Sequence, residues 1–430
     1  MIRGVTLSLR EDVSLVEAGE NGLEVAGPHA RFRMKGLSPG MRAAWRQLAA
    51  GGASEEDLGD RVSATDGLVE RALLRVQLQR CDTLGLLQYA LVADARPLAI
   101  FVPMRRGFHF SAEPVGLDAR FRLSRFAYCR RLEQTLMIES PLSAARTILP
   151  DGTGAALLAE LATPRTCRDL CARSQTTSRA GLHEETAQAL LTLLSGAGVI
   201  AEADGDGRLR EDLDPPLVQW EFHDLLFHSR SRLGRHEYAF GGVFPFLGQI
   251  PPLPAVKPSI SSDIVPLYKP DLALLQQRDP PLSCVLESRR SVREYGTAPI
   301  GVREVGEFLY RTARVRHLRE PDASRGWHYQ ASSRPYPSGG AAYDLELYVT
   351  VDRCTGLASG IYHYNPVAHQ LHRLVGRTRS VERLLRDAQH AAALPSLPQV
   401  VIILASRFQR LSWKYRGMAY ATTLKNVGVL

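Results

Sequence analysis

The sequence predicts an α+β protein built from several units, and three observations lead to this prediction. At 430 residues the chain is longer than one ordinary core, since domains hold roughly 150 residues each. The order helix, helix, helix, strand occurs twice in the first half of the chain. From about residue 271 onwards, amphipathic helical segments alternate with apolar strand-like segments. A tandem pair of small α+β modules is therefore expected ahead of a larger α+β domain.

In the first copy, helix-like segments at 41–52 and 54–62 precede a longer one within 68–91 that ends in an apolar strand. Ser54, followed three residues later by Asp57, is typical of a helix start. In the second copy, the corresponding segments lie at 154–164, 166–174 and 182–204. The two copies therefore have the same predicted order of elements.

Each copy follows strand-like sequence, at 30–34 and at 120–131, which completes a winged-helix pattern. We predict module boundaries of 1–110 and 111–213. A winged helix can read DNA, and it can also hold a peptide as an added strand. The third helix of the second module begins with Glu184 and Glu185, which would repel phosphates, so this module is predicted to hold peptide and nucleic acid is not an expected partner.

Composition supports a water-soluble chain. The formal net charge is +8, and the longest strongly apolar run, at 400–405, is far shorter than the ~20 residues that a membrane span requires. The six cysteines are scattered rather than clustered, so reduced thiols and a cytoplasmic location are expected. No membrane partner is predicted.

The region 214–270 is predicted to contain a helix opened by Pro215 and Pro216, followed by a proline-rich connector at 244–259 that wraps over a neighbouring surface. His223 and His228 lie five positions apart, which does not match the i, i+4 spacing of a shared helix face. No metal site is therefore predicted.

The last predicted domain covers 271–430. Its expected elements are a helix that ends near a group of arginines, a second amphipathic helix at 301–315, a strand at 341–354, a hairpin around Asn365 and Pro366, a helix at 380–394 and a buried strand at 399–407. Another helix begins in the closing segment.

Two segments of this domain have the chemistry of an anionic, flat ligand site. Arg289, Arg290, Ser291 and Arg293 place three guanidinium groups and a hydroxyl within five residues, a set suited to a phosphate. Pro337, Ser338, Gly339 and Gly340 form a stiff turn with two residues that lack Cβ atoms, so its backbone can approach a flat ring. The turn does not have the G-x-G-x-x-G pattern of a dinucleotide site.

Four ordered motifs, at 288–295, 336–351, 357–366 and 405–420, resemble the SagB-type dehydrogenases, which are the azoline-oxidising branch of the FMN-dependent nitroreductase family. The resemblance covers about 219–430. It implies a dimeric flavoenzyme that oxidises thiazoline or oxazoline rings to thiazoles or oxazoles in a ribosomally made precursor peptide, next to cyclodehydratase partners. By the resemblance, Arg289, Arg290, Ser291, Arg293 and residues 337–340 contact FMN, and Lys414 and Tyr415 are the catalytic pair.

Members of this family normally continue beyond the Lys-Tyr helix, so the flavin domain is expected to be truncated at its C-terminus. Two alternative functions follow. One is a general NAD(P)H-dependent nitroreductase or quinone reductase. The other is a catalytically inactive scaffold that binds peptide because its flavin domain is incomplete.

Overall fold

The structure is a computed structural model that describes residues 4–28, 30–110, 113–177 and 182–430, with the backbone alone for 174–177. The chain folds as two compact units, Met1–Ala239 and Phe240–Leu430. Both units combine helices with sheets, so the predicted α+β class is confirmed. Within the described ranges, no helix has both the length and the apolar character that crossing a membrane requires.

The first unit contains eleven strands and eight α-helices among its described residues. The strands are β1 Val5–Leu9, β2 Ser14–Glu17, β3 Leu23–Ala26, β4 Arg31–Met34, β5 Leu87–Ala93, β6 Arg96–Pro103, β7 Phe121–Leu123, β8 Tyr128–Leu132, β9 Thr135–Glu139, β10 Ala145–Leu149 and β11 Ile200–Glu202. The helices are α1 Pro39–Ala50, α2 Glu55–Asp66, α3 Leu68–Thr83, α4 Gly152–Glu160, α5 Cys167–Thr177, α6 Glu184–Gly196, α7 Pro215–Val218 and α8 Phe222–Arg230.

Both predicted helix triplets are present, and the helix start at Ser54 has the expected geometry. The Ser54 hydroxyl accepts a hydrogen bond of 3.0 Å from the Asp57 backbone N–H, which satisfies one of the free donors of the first turn of α2. The core of the first triplet includes the fully buried Trp45, whose ring lies 6.5 Å from the ring of Phe32 on β4. The helices predicted from the sequence pattern are thus present here, and they pack around a buried core.

One six-stranded antiparallel sheet joins the two predicted modules, in the order β1-β5-β6-β10-β9-β8. The joint is the pairing of β6 with β10, which places Pro103 opposite Ala145 and Ile100 opposite Ile148. The boundary predicted near residue 110 therefore separates two helix triplets that share a sheet. The smaller sheet β2-β3-β4 belongs to the first triplet alone.

The helix predicted from Pro215 is two helices, α7 and α8. The Arg125 guanidinium donates hydrogen bonds to the carbonyl oxygens of Leu217 and Trp220, at 2.7 and 3.3 Å. Those carbonyls are therefore engaged by a side chain from elsewhere in the unit instead of by a continuing helix. Arg125 is ninety-odd residues earlier in the sequence, so the local pattern could not indicate this break.

The second unit contains seven strands and six α-helices among its described residues. The strands are β12 Ile264–Pro266, β13 His317–Arg319, β14 Ala331–Ser333, β15 Leu345–Val351, β16 Gly360–Asn365, β17 Gln370–Gly376 and β18 Val400–Ser406. The helices are α9 Leu272–Arg278, α10 Leu282–Ser288, α11 Val302–Ala313, α12 Arg379–Ala391, α13 Gln409–Ser412 and α14 Ala419–Val429.

The main sheet of this unit has the strand order β12-β17-β16-β15-β18. Alternate residues of β15, including Leu347 and Val349, point into a core that also contains Leu309 of α11. The strand predicted at 399–407 is present as β18, but its residues are only half-buried, because β18 lies at the edge of the sheet. The sequence pattern alone overstated its burial.

The proline-rich connector at 244–259 contains no helix or strand, and side-chain hydrogen bonds tie it to the rest of this unit. Lys257 Nζ donates to the Tyr348 hydroxyl at 2.9 Å, and the Arg407 guanidinium donates to the Pro254 carbonyl at 2.8 Å. Side-chain hydrogen bonds therefore hold the connector where ladder hydrogen bonds are absent.

Candidate active site

The turn at 337–340 has the tight backbone expected of its glycines. Gly340 is left-handed, with φ of +62°, and the Ala341 N–H closes the turn on the Ser338 carbonyl at 3.1 Å. The Ser338 hydroxyl accepts a hydrogen bond from the Tyr343 N–H at 3.0 Å. The backbone N–H of the exposed Gly340 makes no hydrogen bond within the described part of the chain. This donor is available to a ligand.

Lys414 and Tyr415 lie against that turn. Lys414 Nζ donates to the Gly340 carbonyl at 3.1 Å, and a Cβ atom at Gly340 would collide with both Lys414 Nζ and the Tyr415 hydroxyl. Both the left-handed backbone and the limited space therefore favour glycine at this position. The structure brings together three of the predicted site residues, Gly340, Lys414 and Tyr415.

A third polar group, the hydroxyl of Tyr329, completes this cluster. It accepts a hydrogen bond from Lys414 Nζ at 2.8 Å and donates one to the Gly340 carbonyl at 2.5 Å. Burial raises the pKa of the Tyr329 phenol, against an opposing effect of the Arg410 charge. Tyr329 therefore remains a neutral hydrogen-bond donor at neutral pH.

Aromatic rings surround the Lys414 amine. Its Nζ lies 5.1 Å from the ring centre of Tyr329, 5.4 Å from that of Tyr415 and 5.9 Å from that of Phe244. Burial also raises the pKa of the Tyr415 phenol, and the nearby Lys414 charge lowers it by less. Lys414 is half-buried among these rings, next to the buried Trp413.

The backbone around Lys414 is fixed by the segment that opens the second unit. The N–H groups of Val243 and Phe244 both donate to the Lys414 carbonyl, at 2.9 and 3.1 Å. Trp413 Nε1 donates to the Ile250 carbonyl at 2.7 Å. Residues 243–250 therefore form one wall of the site.

The predicted phosphate-binding residues Arg289, Arg290, Ser291 and Arg293 follow α10 in irregular, exposed chain. Their side chains make no hydrogen bond or ion pair with the described residues. Their convergence with the glycine turn remains a prediction.

Sequence reasoning did not identify Tyr329 or Phe244. Tyr329 lies 85 residues before Lys414, and the aromatic run Trp327, His328, Tyr329 was the only local signal. Phe244 lies in the proline-rich connector, where the sequence indicates no regular element. Neither position has a spacing pattern that links it to Lys414.

The residues present fit a flat, anionic cofactor such as a flavin mononucleotide. Gly339 and Gly340 leave the turn without side chains, and the Gly340 N–H makes no hydrogen bond among the described residues, so it can donate to a ligand. The neighbouring Lys414 and Tyr415 would lie beside such a ring.

Models of two protein families each match part of the chain. The model of the ThcOx helix-turn-helix domain matches residues 1–112, and that of the cyanobactin oxidase ThcOx matches residues 121–237. A nitroreductase-type protein of Methanocaldococcus jannaschii is 29% identical over 167 residues, which cover 37% of this chain and 71% of that protein.

The trifolitoxin-processing protein TfxB of Rhizobium leguminosarum bv. trifolii is 34% identical over 82 residues, which cover 19% of this chain and 22% of that protein. Among solved structures, a nitroreductase-type protein of Anabaena variabilis matches with 20% identity and a TM-score of 0.25, over 36% of each chain. The match therefore spans less than half of the Rhizobium protein and less than half of the Anabaena protein.

Proposed function

We propose that this chain is a nitroreductase-like oxidase with N-terminal helix-turn-helix modules and that it oxidises thiazoline or oxazoline rings in a ribosomally made precursor peptide, with FMN as cofactor. The observation that carries the proposal is the contact of Lys414 and Tyr415 with the bare Gly340 turn. A cyclodehydratase would supply the substrate, because that reaction class forms azoline rings from peptide side chains.

The reaction converts an azoline to an azole by loss of one proton and one hydride from adjacent ring carbons. FMN, when bound, supplies the two-electron acceptor for the hydride. Lys414 takes the proton, since its Nζ lies at the turn that would hold the flavin ring. Tyr415, whose pKa is raised by burial, stays protonated and lies beside Lys414.

Residues 337–340 would hold the flavin ring, and Arg289, Arg290, Ser291 and Arg293 would hold its phosphate. The exposed arginines have no competing partner among the described residues, so phosphate binding would break no existing ion pair. FMN, with one terminal phosphate, suits this set better than riboflavin, which has none.

We also propose that the second unit works as a homodimer. The segment that carries the arginines is apolar as well as basic: Leu282, Leu286 and Val292 expose 72%, 64% and 66% of their surface. Neighbouring apolar side chains at this level of exposure mark an interaction surface. A second copy of the chain would cover it.

The precursor peptide would bind to one of the helix-turn-helix modules. In the first module, β4 pairs only with β3, so its other edge is open among the described residues, and α3 exposes Val69, Leu73 and Val76 on one face. Arg80 of α3 lies 5.3 Å from the Phe32 ring of β4, so strand edge and helix face adjoin. An extended peptide with acidic and apolar residues would fit between them.

The second module was the predicted peptide holder. Its third helix, α6, buries seven of its thirteen residues and exposes no comparable apolar stripe. These features favour the first module for the peptide.

The proposal is tested by incubating the purified chain with FMN and a peptide that carries azoline rings. We expect mass spectrometry to detect the loss of two hydrogen atoms per ring. A protein that binds FMN fully and leaves the rings unchanged would contradict the proposed substrate.

A second candidate function, general nitroreductase or quinone reductase activity, is supported by the similarity to the Methanocaldococcus protein. Rapid bleaching of bound flavin by NAD(P)H without any peptide would favour it. A protein that binds peptide and no flavin would instead select the scaffold function.

A further inference from the structure

A buried carboxylate without a cationic partner lies directly beneath the glycine turn. Asp344 is fully buried, and it accepts hydrogen bonds from Ser406 Oγ at 2.7 Å, Thr423 Oγ1 at 3.0 Å and Asn426 Nδ2 at 2.7 Å. No salt bridge to this carboxylate exists among the described residues. Three neutral donors thus offset the cost of burying its oxygens.

The Asn426 amide connects this carboxylate to the turn. Its Nδ2 donates to Asp344, and its Oδ1 accepts the backbone N–H of Gly339 at 3.0 Å. A carboxylate can only accept, so the amide must direct its NH₂ group at Asp344 and its oxygen at Gly339. Asp344 therefore determines which way the Asn426 amide points.

Helix α14 also fills the space on this side of the turn. A Cβ atom at Gly339 would collide with the methyl group of Thr422. On the other side, the Gly340 carbonyl is held by Lys414 and Tyr329. The two glycines are thus fixed from opposite sides, and the peptide bond that they share carries the free N–H of Gly340.

We infer that Asn426, oriented by Asp344, is a positioning residue that aims the Gly340 N–H at the flavin. This inference rests on the proposed function, because it names what that function requires of α14. Asn426 itself is buried, and its side chain hydrogen-bonds to Gly339 and Asp344 among the described residues, so its action on the turn is through the backbone.

The test compares Asn426→Leu with the matched control Thr423→Val. Both variants remove a donor to Asp344, but only the first removes a hydrogen bond to the turn. Fluorescence quenching measures FMN affinity, and hydrogen exchange in the cofactor-free protein measures protection of the Gly339 N–H. For Asn426→Leu we expect loss of this protection and about tenfold weaker FMN binding, whereas Thr423→Val keeps both within about twofold.

Two outcomes would overturn the inference: FMN affinity of the wild-type level in Asn426→Leu, or equal losses in both variants. If Asn426→Leu does not fold, Asn426→Ala replaces it, since the smaller side chain removes the same hydrogen bonds to Gly339 and Asp344. Wild-type behaviour of Asn426→Ala in both measurements would also overturn it. Because exchange is measured without cofactor, it shows whether Asn426 orders the turn even if the wild type binds no FMN, a result that would count against the proposed function.

Discussion

Lys414 Nζ donates a hydrogen bond of 2.8 Å to the hydroxyl of Tyr329, a residue 85 positions earlier in the chain. The same hydroxyl donates to the Gly340 carbonyl, which Lys414 also contacts. The amine, the phenol and the turn therefore form one closed hydrogen-bonded set, and a change in any member should move the others.

Replacement of Tyr329 by phenylalanine keeps the ring beside Lys414 and removes only the hydroxyl. We expect turnover of the azoline peptide to fall about tenfold, since Lys414 loses one of its two acceptors, and stability to fall by about 1 kcal/mol. Steady-state kinetics and thermal melts measure the two effects. Tyr310→Phe is the control, because the Tyr310 hydroxyl has no hydrogen bond among the described residues; equal losses in both variants would contradict a role for Tyr329.

Replacement of Lys414 by glutamine tests the proton transfer directly. We expect oxidation to slow by about 100-fold or more, as for loss of a general base, while the fold is kept because Lys414 is only half-buried. Lys425→Gln, at an exposed lysine of α14, should have wild-type rates. Full activity of Lys414→Gln would exclude Lys414 as the proton acceptor.

Replacement of Gly340 by alanine tests two features that favour glycine at this position: the left-handed backbone and the limited space for a Cβ atom. Gly326 is also left-handed, with φ of +69°, and has open space around its Cβ position, so Gly326→Ala should cost only the backbone penalty of about 1–2 kcal/mol. Gly340→Ala adds the collision with Lys414 and Tyr415, and we expect it to cost about 1–3 kcal/mol more and to weaken FMN binding. Denaturant unfolding of both variants measures the difference, and equal costs would mean that the site relaxes around a Cβ atom.

The arginine segment is tested with two flavins. For the double variant Arg289→Ala and Arg290→Ala, we expect FMN binding to weaken by about tenfold or more and riboflavin binding to stay unchanged, because only FMN carries a phosphate. The exposed Arg379→Ala is the control for loss of positive charge. Equal weakening for both flavins would place these arginines away from the phosphate.

His369 predicts a pH dependence of stability in the second unit. It lies between the Tyr364 hydroxyl and the Tyr268 carbonyl, and burial is the main cause that lowers its pKa below the ordinary value of 6.5. The unfolded chain therefore takes up a proton more readily than the folded unit, so stability should decline as the pH falls below about 6.5. Melting curves between pH 8 and pH 5 should show a smaller decline for His369→Gln than for the wild type.

Local patterns were sufficient for many elements. The apolar stripe of α11 and the capped start of α2 are visible in short windows, because helix periodicity and capping depend on residues three or four apart. The hairpin of β16 and β17 follows from Asn365 and Pro366 for the same reason. The pairing of Gly340 with Lys414 and Tyr415 came from the order of motifs in a family resemblance, and the geometry agrees with it.

By itself, the sequence determined the α+β class, most helices and strands, and the residue types of the candidate site. Only the tertiary structure decided that the two helix triplets share a sheet, that Arg125 divides the helix after Pro215, and that Tyr329 and Asn426 reach the turn. The physical reason is that these features are hydrogen bonds between groups eleven to more than ninety residues apart, and no local periodicity encodes which distant donor meets which acceptor.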